Sequence, residues 1–140
     1  MMTLVKGILL VEDDIEDQEF FIEAISDVNH AVLHGIAANG KEALEKLATT
    51  PILPDIIFMD IRMPVMDGLE CLAAIIRNPI TTNIPVIMLS NSLDQVAEAN
   101  SIGAMAFIKK PTLPTVLGSK LSQILNVNFT KVAPLHSRVF

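Results

Sequence analysis

The sequence predicts an α/β domain in which helices cover both faces of a parallel β-sheet. Short apolar runs bounded by turn residues recur along the chain, and such runs are typical of strands buried on both faces. Segments with apolar residues at helical spacing separate these runs, and this alternation predicts right-handed crossovers. The chain has 140 residues, of which 51% are hydrophobic, and contains no Trp or Tyr. This size predicts one domain with an aliphatic core.

The first half of the chain supplies two strand–helix units. The apolar run at 7–11 predicts a central strand, and apolar residues spaced three or four apart predict a helix at 15–28. A weaker strand is predicted at 31–37. A turn then leads into a short helix at 41–48.

The stretch from Asp55 to Gly68 organises the rest of the chain. Four consecutive apolar residues lie between Asp55 and Asp60, and they include β-branched and aromatic side chains. They predict a strand buried on both faces, 55–60. The strand ends in a carboxylate, and Pro64 and the Asp67-Gly68 pair then signal a turn. Asp60 is therefore expected where a buried strand opens into a loop, which is where open α/β sheets bind ligands.

The second half continues the alternation of strands and helices. Gly103 is expected to cap the fourth helix, and Pro114 is expected in the first turn of the fifth. The remaining predicted elements are a helix at 69–76, a strand at 85–89, a helix at 93–102, a strand at 104–108 and a helix at 113–125.

Residues 126–140 show no strong periodicity and are predicted to form a C-terminal tail beyond a domain at 5–125. Three apolar side chains stand out in this otherwise polar stretch: Phe129, Leu135 and Phe140. We expect the tail to dock on the body of the domain or on a second subunit.

Composition and charge exclude several classes of protein. The formal charge is −6 and no run of Lys or Arg is long, which argues against direct nucleic-acid binding. The longest uncharged stretch, 78–93, is broken by Pro79 and Pro85, so no membrane span is expected. The amino end lacks the length and cleavage site of a secretory signal. With Cys71 as the only cysteine, a cytoplasmic location is predicted.

Polar side chains follow four of the predicted strands. Because the strands of a parallel sheet all point the same way, these side chains should meet at one edge, here called the carboxyl edge. Clustered carboxylates repel one another unless a cation is present, and Mg²⁺ binds a few carboxylates together with a phosphate. A hydroxyl and an ammonium suit the other phosphoryl oxygens, so the set predicts phosphoryl transfer to an aspartate. The groups are Glu12, Asp13 and Asp14 after the first strand, Asp60 at the third, Ser90 at the fourth and Lys110 at the fifth.

These motifs, in this order, resemble the response-regulator receiver domain of two-component signalling, similar to the stand-alone chemotaxis type. The resemblance covers roughly residues 5–125 and implies a flavodoxin-like fold with strand order 2-1-3-4-5. The matching motifs are Val11-Glu12-Asp13-Asp14, Met59-Asp60-Ile61-Arg62-Met63-Pro64 with Asp67-Gly68, Ser90, and Lys110-Pro111.

The resemblance implies a role for each residue of the site. Asp60 is the phosphoacceptor, and Ser90 and Lys110 contact the phosphoryl group. Mg²⁺ or Mn²⁺ is the implied cofactor. Its implied ligands are Asp13 directly, Glu12 through water, Asp60, and the backbone carbonyl of Arg62.

The resemblance also implies a switch. The Ser90 hydroxyl moves toward the phosphate, and the ring of Phe107 turns into the vacated space. The Lys110–Pro111 peptide is expected to be cis, which would aim Lys110 into the site, and Pro111 favours Lys110 over Lys109 for this role. Candidates for tuning the phosphate lifetime are Arg62, Asn91 and Ser92.

The implied function is a phosphorylation switch rather than a turnover enzyme, catalysing only its own phosphorylation and dephosphorylation. A sensor histidine kinase or a histidine phosphotransfer protein would supply the phosphoryl group. The fourth and fifth strands, with the helices after them, would form the output surface that an unknown downstream protein binds. Homodimerisation through the last strand and helix stays open.

Three other functions compete with this one. An aspartate-nucleophile phosphatase of the haloacid dehalogenase type needs a second Asp two residues after the nucleophile, where this chain has Arg62, and is disfavoured. A nucleotide or flavin binder lacks support because no glycine-rich phosphate loop follows Val11. A receiver-like module that binds partners without cycling stays open.

Overall fold

The computed structural model describes residues 5–127 and 138–140. Five parallel strands form one sheet in the order β2-β1-β3-β4-β5, so the expected strand order is confirmed. The elements are β1 (Lys6–Val11), α1 (Ile15–Ser26), β2 (Ala31–Ala37), α2 (Gly40–Thr49), β3 (Ile56–Asp60), α3 (Gly68–Arg77), β4 (Val86–Ser90), α4 (Val96–Ile102), β5 (Ala106–Lys109) and α5 (Pro114–Leu125).

The sheet separates two hydrophobic cores. The core under α1 and α5 contains Phe21 and Phe58, whose ring centroids are 5.4 Å apart. The core on the other face packs against α2, α3 and α4 and contains the fully buried Phe107. Every residue of β3 and β4 is buried, as the uninterrupted apolar runs predict for central strands of a parallel sheet.

The helix ends follow local signals in the sequence. Gly103 ends α4 with φ 133° and donates its N–H to the carbonyl of Ala99, as expected for a glycine cap. Pro114 is the first residue of α5. Asp67 and Glu70 form a reciprocal capping box at the start of α3. No helix among the described residues is long and apolar enough to cross a membrane.

The fourth helix begins three residues later than predicted, at Val96. Two local hydrogen bonds hold the preceding residues in turns: Ser90 Oγ accepts from the N–H of Ser92 at 3.2 Å, and Ser92 Oγ accepts from that of Asp94 at 3.1 Å. Such side-chain acceptors compete with the helical pattern. The other predicted element ends differ from the structure by two residues or fewer.

Part of the predicted tail can be compared with the structure. Phe129 and Leu135 lie outside the described residues. Phe140 is described and packs beside the α1–α5 core. Val139 forms a parallel bridge with Phe107, so the segment Arg138–Phe140 lies along the outer edge of β5.

Candidate functional site

Three carboxylates meet at the carboxyl edge. Glu12 and Asp13 follow β1, and Asp60 ends the neighbouring β3. One oxygen from each of the three lies within 4.8 Å of the others. Glu12 is 2% exposed and Asp60 is 9% exposed, whereas Asp13 faces solvent. The structure therefore brings together the three predicted carboxylates.

Lys110 reaches the same point from the end of β5. Its Nζ lies 2.9 Å from Glu12 Oε1, 3.0 Å from Asp17 Oδ2 and 3.2 Å from Asp60 Oδ1. Lys109 is exposed instead, in agreement with the choice of Lys110. The ammonium thus donates toward three carboxylates at once.

The expected cis peptide between Lys110 and Pro111 is wrong for this structure. No peptide bond among residues 5–127 and 138–140 is cis. The trans isomer is intrinsically favoured even before proline. With a trans bond the Lys110 side chain still reaches Glu12 and Asp60, so its place in the site does not depend on the isomer.

Asp17 is a member of this cluster that sequence reasoning missed. It lies in the first turn of α1, just above the end of β1. Asp14 is the N-cap of that helix and accepts the N–H groups of Glu16 and Asp17, so it is occupied by the helix rather than by the site. The position of Asp17 three residues after this cap could have indicated that it overlooks the carboxyl edge.

Burial dominates the electrostatics of the site. Desolvation, together with the charge of Asp60, raises the pKa of Glu12 to about 7 against the hydrogen bond from Lys110. Desolvation likewise raises the pKa of Asp60, opposed by Lys110. Burial alone would lower the pKa of Lys110, but the Glu12 hydrogen bond and the charge of Asp60 outweigh it and raise that pKa. One ammonium therefore does not neutralise the cluster.

This donor set fits a hard divalent cation. Three carboxylate oxygens converge, and two of the three carboxylates are buried. Mg²⁺ prefers oxygen ligands and keeps several waters, so a site with few protein carboxylates and an open side suits it. An open depression of about 460 Å³ adjoins Asp13. Its lining also includes Ile61, Arg62, Met63, Pro64 and Asp67.

The predicted phosphate-binding and switch residues occupy two different environments. Ser90 ends β4 beside the strand of Asp60, is 9% exposed, and accepts the Lys110 backbone N–H on its carbonyl at 2.8 Å. Phe107 is fully buried in the core on the α4 side of the sheet. Its ring therefore does not form part of the surface in this conformation.

The three candidates for tuning phosphate lifetime surround the site at its rim. Arg62 is exposed and lines the open depression. Asn91 is exposed and lines a small cavity with Lys110 on the α1 side. Ser92 is half-buried and donates its N–H to Ser90. Their effect on phosphate lifetime stays a prediction.

The loop after Asp60 is held by tight backbone contacts. Gly68, the first residue of α3, donates its N–H to the carbonyl of Ile61 at 2.7 Å and packs directly on the backbone of Asp60. Val65 has φ 69°, which is rare for a β-branched residue. Strain of this kind persists where the surrounding structure fixes the backbone, often at functional sites.

Comparison with known proteins agrees with this geometry. The sequence matches the response regulator receiver domain family over residues 8–122. It is 33% identical over 138 residues to a protein-glutamate methylesterase/protein-glutamine glutaminase of Geobacillus kaustophilus, covering 91% of this chain and 38% of that protein. The chain thus spans little more than a third of the length of this relative, so the similarity does not extend to the rest of it.

Two solved structures have the same fold. The phosphorylated cyanobacterial phytochrome response regulator RcpA superposes with a TM-score of 0.77 at 27% identity, covering 92% of this chain and 97% of that one. The CheX-CheY-BeF₃-Mg²⁺ complex from Borrelia burgdorferi superposes with a TM-score of 0.75 at 26% identity, covering 89% and 92%.

Proposed function

The chain belongs to the response regulator receiver domain family, and from this premise we propose that Asp60 accepts the phosphoryl group that switches it. The observation that carries the proposal is the convergence of Asp60 with Glu12, Asp13 and Lys110 at the carboxyl edge. A buried carboxylate beside a lysine and two further acids is the arrangement that phosphoryl transfer to an aspartate requires.

The proposed transfer is a displacement at phosphorus. An oxygen of the Asp60 carboxylate attacks the phosphorus of a phosphohistidine, a P–O bond forms and the P–N bond breaks. The histidine nitrogen leaves with the bonding pair and takes a proton from solvent. Lys110, which lies 3.2 Å from Asp60, donates to a phosphoryl oxygen and offsets its charge. Water later attacks the same phosphorus, the bond between phosphorus and the Asp60 oxygen breaks, and inorganic phosphate leaves while the carboxylate is restored.

We assign Asp13, Glu12 and Asp60, together with the backbone carbonyl of Arg62, as the residues that would hold Mg²⁺ or Mn²⁺. Once bound, the cation neutralises charge that develops on the phosphoryl oxygens. Glu12 is held by Lys110 and by the N–H of Asp14, so it is oriented before any cation arrives. The similar Borrelia burgdorferi complex includes Mg²⁺, which supports the same assignment by similarity.

Ser90 and Phe107 are proposed as the switch. Ser90 ends a strand that is buried along its whole length, and its hydroxyl accepts from the N–H of Ser92. In the proposed switch this hydroxyl turns from Ser92 toward the phosphoryl group. Movement of that hydroxyl changes the space beside β5, which carries Phe107. The phosphoryl group then shifts the population between two states by binding one of them better.

A sensor histidine kinase or a histidine phosphotransfer protein is the proposed phosphoryl donor. The proposed output is the binding of a downstream protein to the face formed by β4 and β5. The proposed receiver unit is 5–125, with 126–140 as an appended tail, in a cytoplasmic setting. Methylesterase activity is named for the relatives, which are much longer than this chain, and it is not part of this proposal.

The test is the intact mass of the protein after incubation with a small acyl-phosphate donor, with Mg²⁺ or with EDTA. We expect one added phosphoryl group that requires Mg²⁺ and is lost in Asp60→Asn. Asp55→Asn is the matched control, because Asp55 precedes the same strand at its other end. It should label like the wild type.

Two results would contradict the proposal. A folded wild type that takes no phosphoryl group, beside a control receiver that does, would favour the module that binds partners without cycling. An adduct that persists in Asp60→Asn would place the acceptor elsewhere.

A further inference from the structure

Lys110 is shared between the proposed phosphoryl site and Asp17, a residue to which the proposed reaction gives no role. The Lys110 Nζ lies 2.9 Å from Glu12 Oε1, 3.0 Å from Asp17 Oδ2 and 3.2 Å from Asp60 Oδ1. An ammonium has three N–H donors, so three carboxylate partners match its donors in number. A phosphoryl oxygen therefore gains a donor from Lys110 only when one of the three carboxylates gives one up.

Local hydrogen bonds hold Asp17 beside the end of β1. The side chain of Asp14 caps α1 and accepts the N–H of Asp17 at 3.3 Å. Gln18 Nε2 donates to the carbonyl of Glu12 at 2.8 Å, so the first turn of α1 is tied to the end of the strand. Asp17 therefore reaches Lys110 from a backbone that is fixed relative to the other two carboxylates.

Asp17 is the partner of Lys110 that can be displaced at the lowest cost. Its side chain is 43% exposed, against 2% for the side chain of Glu12 and 12% for that of Asp60. Water can replace the ammonium at Asp17, whereas the two buried carboxylates would stay poorly solvated. A cavity of about 70 Å³ beside Asp17 and Lys110 is large enough for a water molecule on this side of the pair.

The other two partners of Lys110 have roles of their own in the proposed reaction. Asp60 carries the phosphoryl group, and Glu12 belongs to the set of convergent carboxylates assigned to the cation. Among the described residues that set consists of Glu12, Asp13 and Asp60, and Asp17 is not a member of it. The contact between Asp17 and Lys110 therefore serves the unphosphorylated protein alone.

We propose that Asp17 is a positioning residue that holds Lys110 in the unphosphorylated protein and competes with the phosphoryl group for its ammonium. This inference rests on the proposed function of Asp60. Phosphorylation breaks the contact with Asp17, so the free energy of that contact is subtracted from the stability of the phosphorylated state. Asp17 thereby lowers the fraction of the protein that is phosphorylated at a given concentration of donor.

The test uses beryllofluoride at saturating Mg²⁺ as the probe of the phosphoryl site, and the bound fraction of the full chain is measured from ¹H–¹⁵N spectra. Asp17→Ala removes the competitor. Glu16→Ala is the matched control, because Glu16 carries the same charge in the same helical turn, is exposed, and forms no ion pair within the described part of the chain.

A second readout follows the displacement itself. The ¹³C resonance of the Asp17 carboxylate is recorded in the wild type with and without beryllofluoride. The unliganded variant Lys110→Ala supplies the reference value for an Asp17 carboxylate that has no ammonium partner. A merely structural role of Asp17 would not move this resonance toward the reference value when the probe binds.

We expect Asp17→Ala to bind beryllofluoride about threefold more tightly than the wild type, which is the effect of removing one partly exposed ion pair that competes with the probe. The affinity of Glu16→Ala should stay within about 1.5-fold of the wild type, because exposed charges are screened by solvent and salt. In the wild type, binding should shift the Asp17 resonance toward the value in Lys110→Ala.

Three results would overturn the inference while leaving the proposed function intact. They are equal affinities of Asp17→Ala and Glu16→Ala, weaker binding by Asp17→Ala than by the wild type, and an Asp17 resonance that does not move toward its value in Lys110→Ala. A folded wild type that does not bind beryllofluoride, or binding that persists in Asp60→Asn, would instead overturn the proposed function and this inference with it.

Discussion

A single methyl group at Gly68 should disturb both the fold and the site. Gly68 is buried against the last residue of β3. A Cβ at this position would lie 2.9 Å from Ile61 Cα and 3.0 Å from the carbonyl carbon of Asp60, and closer still to the Asp60 oxygen. Gly68→Ala therefore forces the start of α3 away from the backbone of the proposed phosphoacceptor.

The size of the effect follows from what the methyl group meets. Overpacking a well-packed interior costs about 1–3 kcal/mol when side chains can yield. Here the neighbours are backbone atoms at the end of a fully buried strand, which places the cost near the top of that range. The higher helix propensity of Ala offsets at most about 1 kcal/mol of this loss in stability. A net loss of about 2–3 kcal/mol corresponds to a Tm lower by roughly 6–12 °C for a chain of this length.

The assay is thermal unfolding followed by circular dichroism, together with acyl-phosphate labelling of the folded protein. Gly35→Ala is the control, because the same added carbon in β2 meets only Leu9 Cδ1, at an ordinary 3.8 Å. We expect Gly35→Ala to leave Tm within about 2 °C, since substitutions without clashes cost about 0.5 kcal/mol or less. A Gly68→Ala protein with wild-type Tm and labelling would refute the reasoning.

Three further predictions concern the site. The pKa of Glu12 rises from 4.5 to about 7 on folding, so between these pH values the folded state retains a proton that the unfolded chain has lost. The free energy of unfolding in EDTA should therefore fall as pH rises through this window. Urea denaturation at several pH values tests this, and a flat profile would contradict it. Lys110→Ala should lower the free energy of unfolding by about 3 kcal/mol at pH 8, because it leaves buried carboxylates unpaired. The exposed control Lys109→Ala should lower it by less than about 0.5 kcal/mol in the same assay. Equal losses would contradict this prediction. Val65→Gly should raise stability by about 1 kcal/mol by relieving the φ of 69°, and a lower Tm would show that the turn is not strained.

The fold could be predicted from the sequence because its signals are local. The apolar runs of β3 and β4 have no polar interruption, and burial on both faces leaves them no alternative position in an α/β sheet. The motifs at their ends then determine which side chains share an edge, because parallel strands end together. Asp60 and Lys110 are 50 residues apart in sequence, yet both sit where a strand ends.

The features that could not be predicted depend on neighbours far apart in the chain or on competing local contacts. Asp17 joins Lys110 because the sheet brings α1 and β5 together, and its position three residues after the Asp14 cap indicates only that it lies near the carboxyl edge, not that it contacts Lys110. The start of α4 differs from the prediction because hydroxyl acceptors at Ser90 and Ser92 compete with the helix. The expected cis peptide at Lys110 rests on the resemblance alone, and no contact of Lys110 in this chain requires it.

The charge of the site links its stability to its proposed function. Glu12, Asp13 and Asp60 contribute three negative charges when ionised, and Lys110 returns one positive charge, so negative charge stays concentrated at one edge of the folded domain. A phosphoryl group on Asp60 adds further negative charge at the same point. Lys110 therefore stabilises the phosphorylated state more than it stabilises the unphosphorylated state. The three N–H donors of Lys110 must then be divided differently among its partners. Asp17, the most exposed carboxylate of the three that Lys110 contacts, has the smallest desolvation penalty when it loses the ammonium. We expect release of Asp17 to accompany phosphorylation, which would connect the chemistry at Asp60 to the first turn of α1 as well as to β4 and β5.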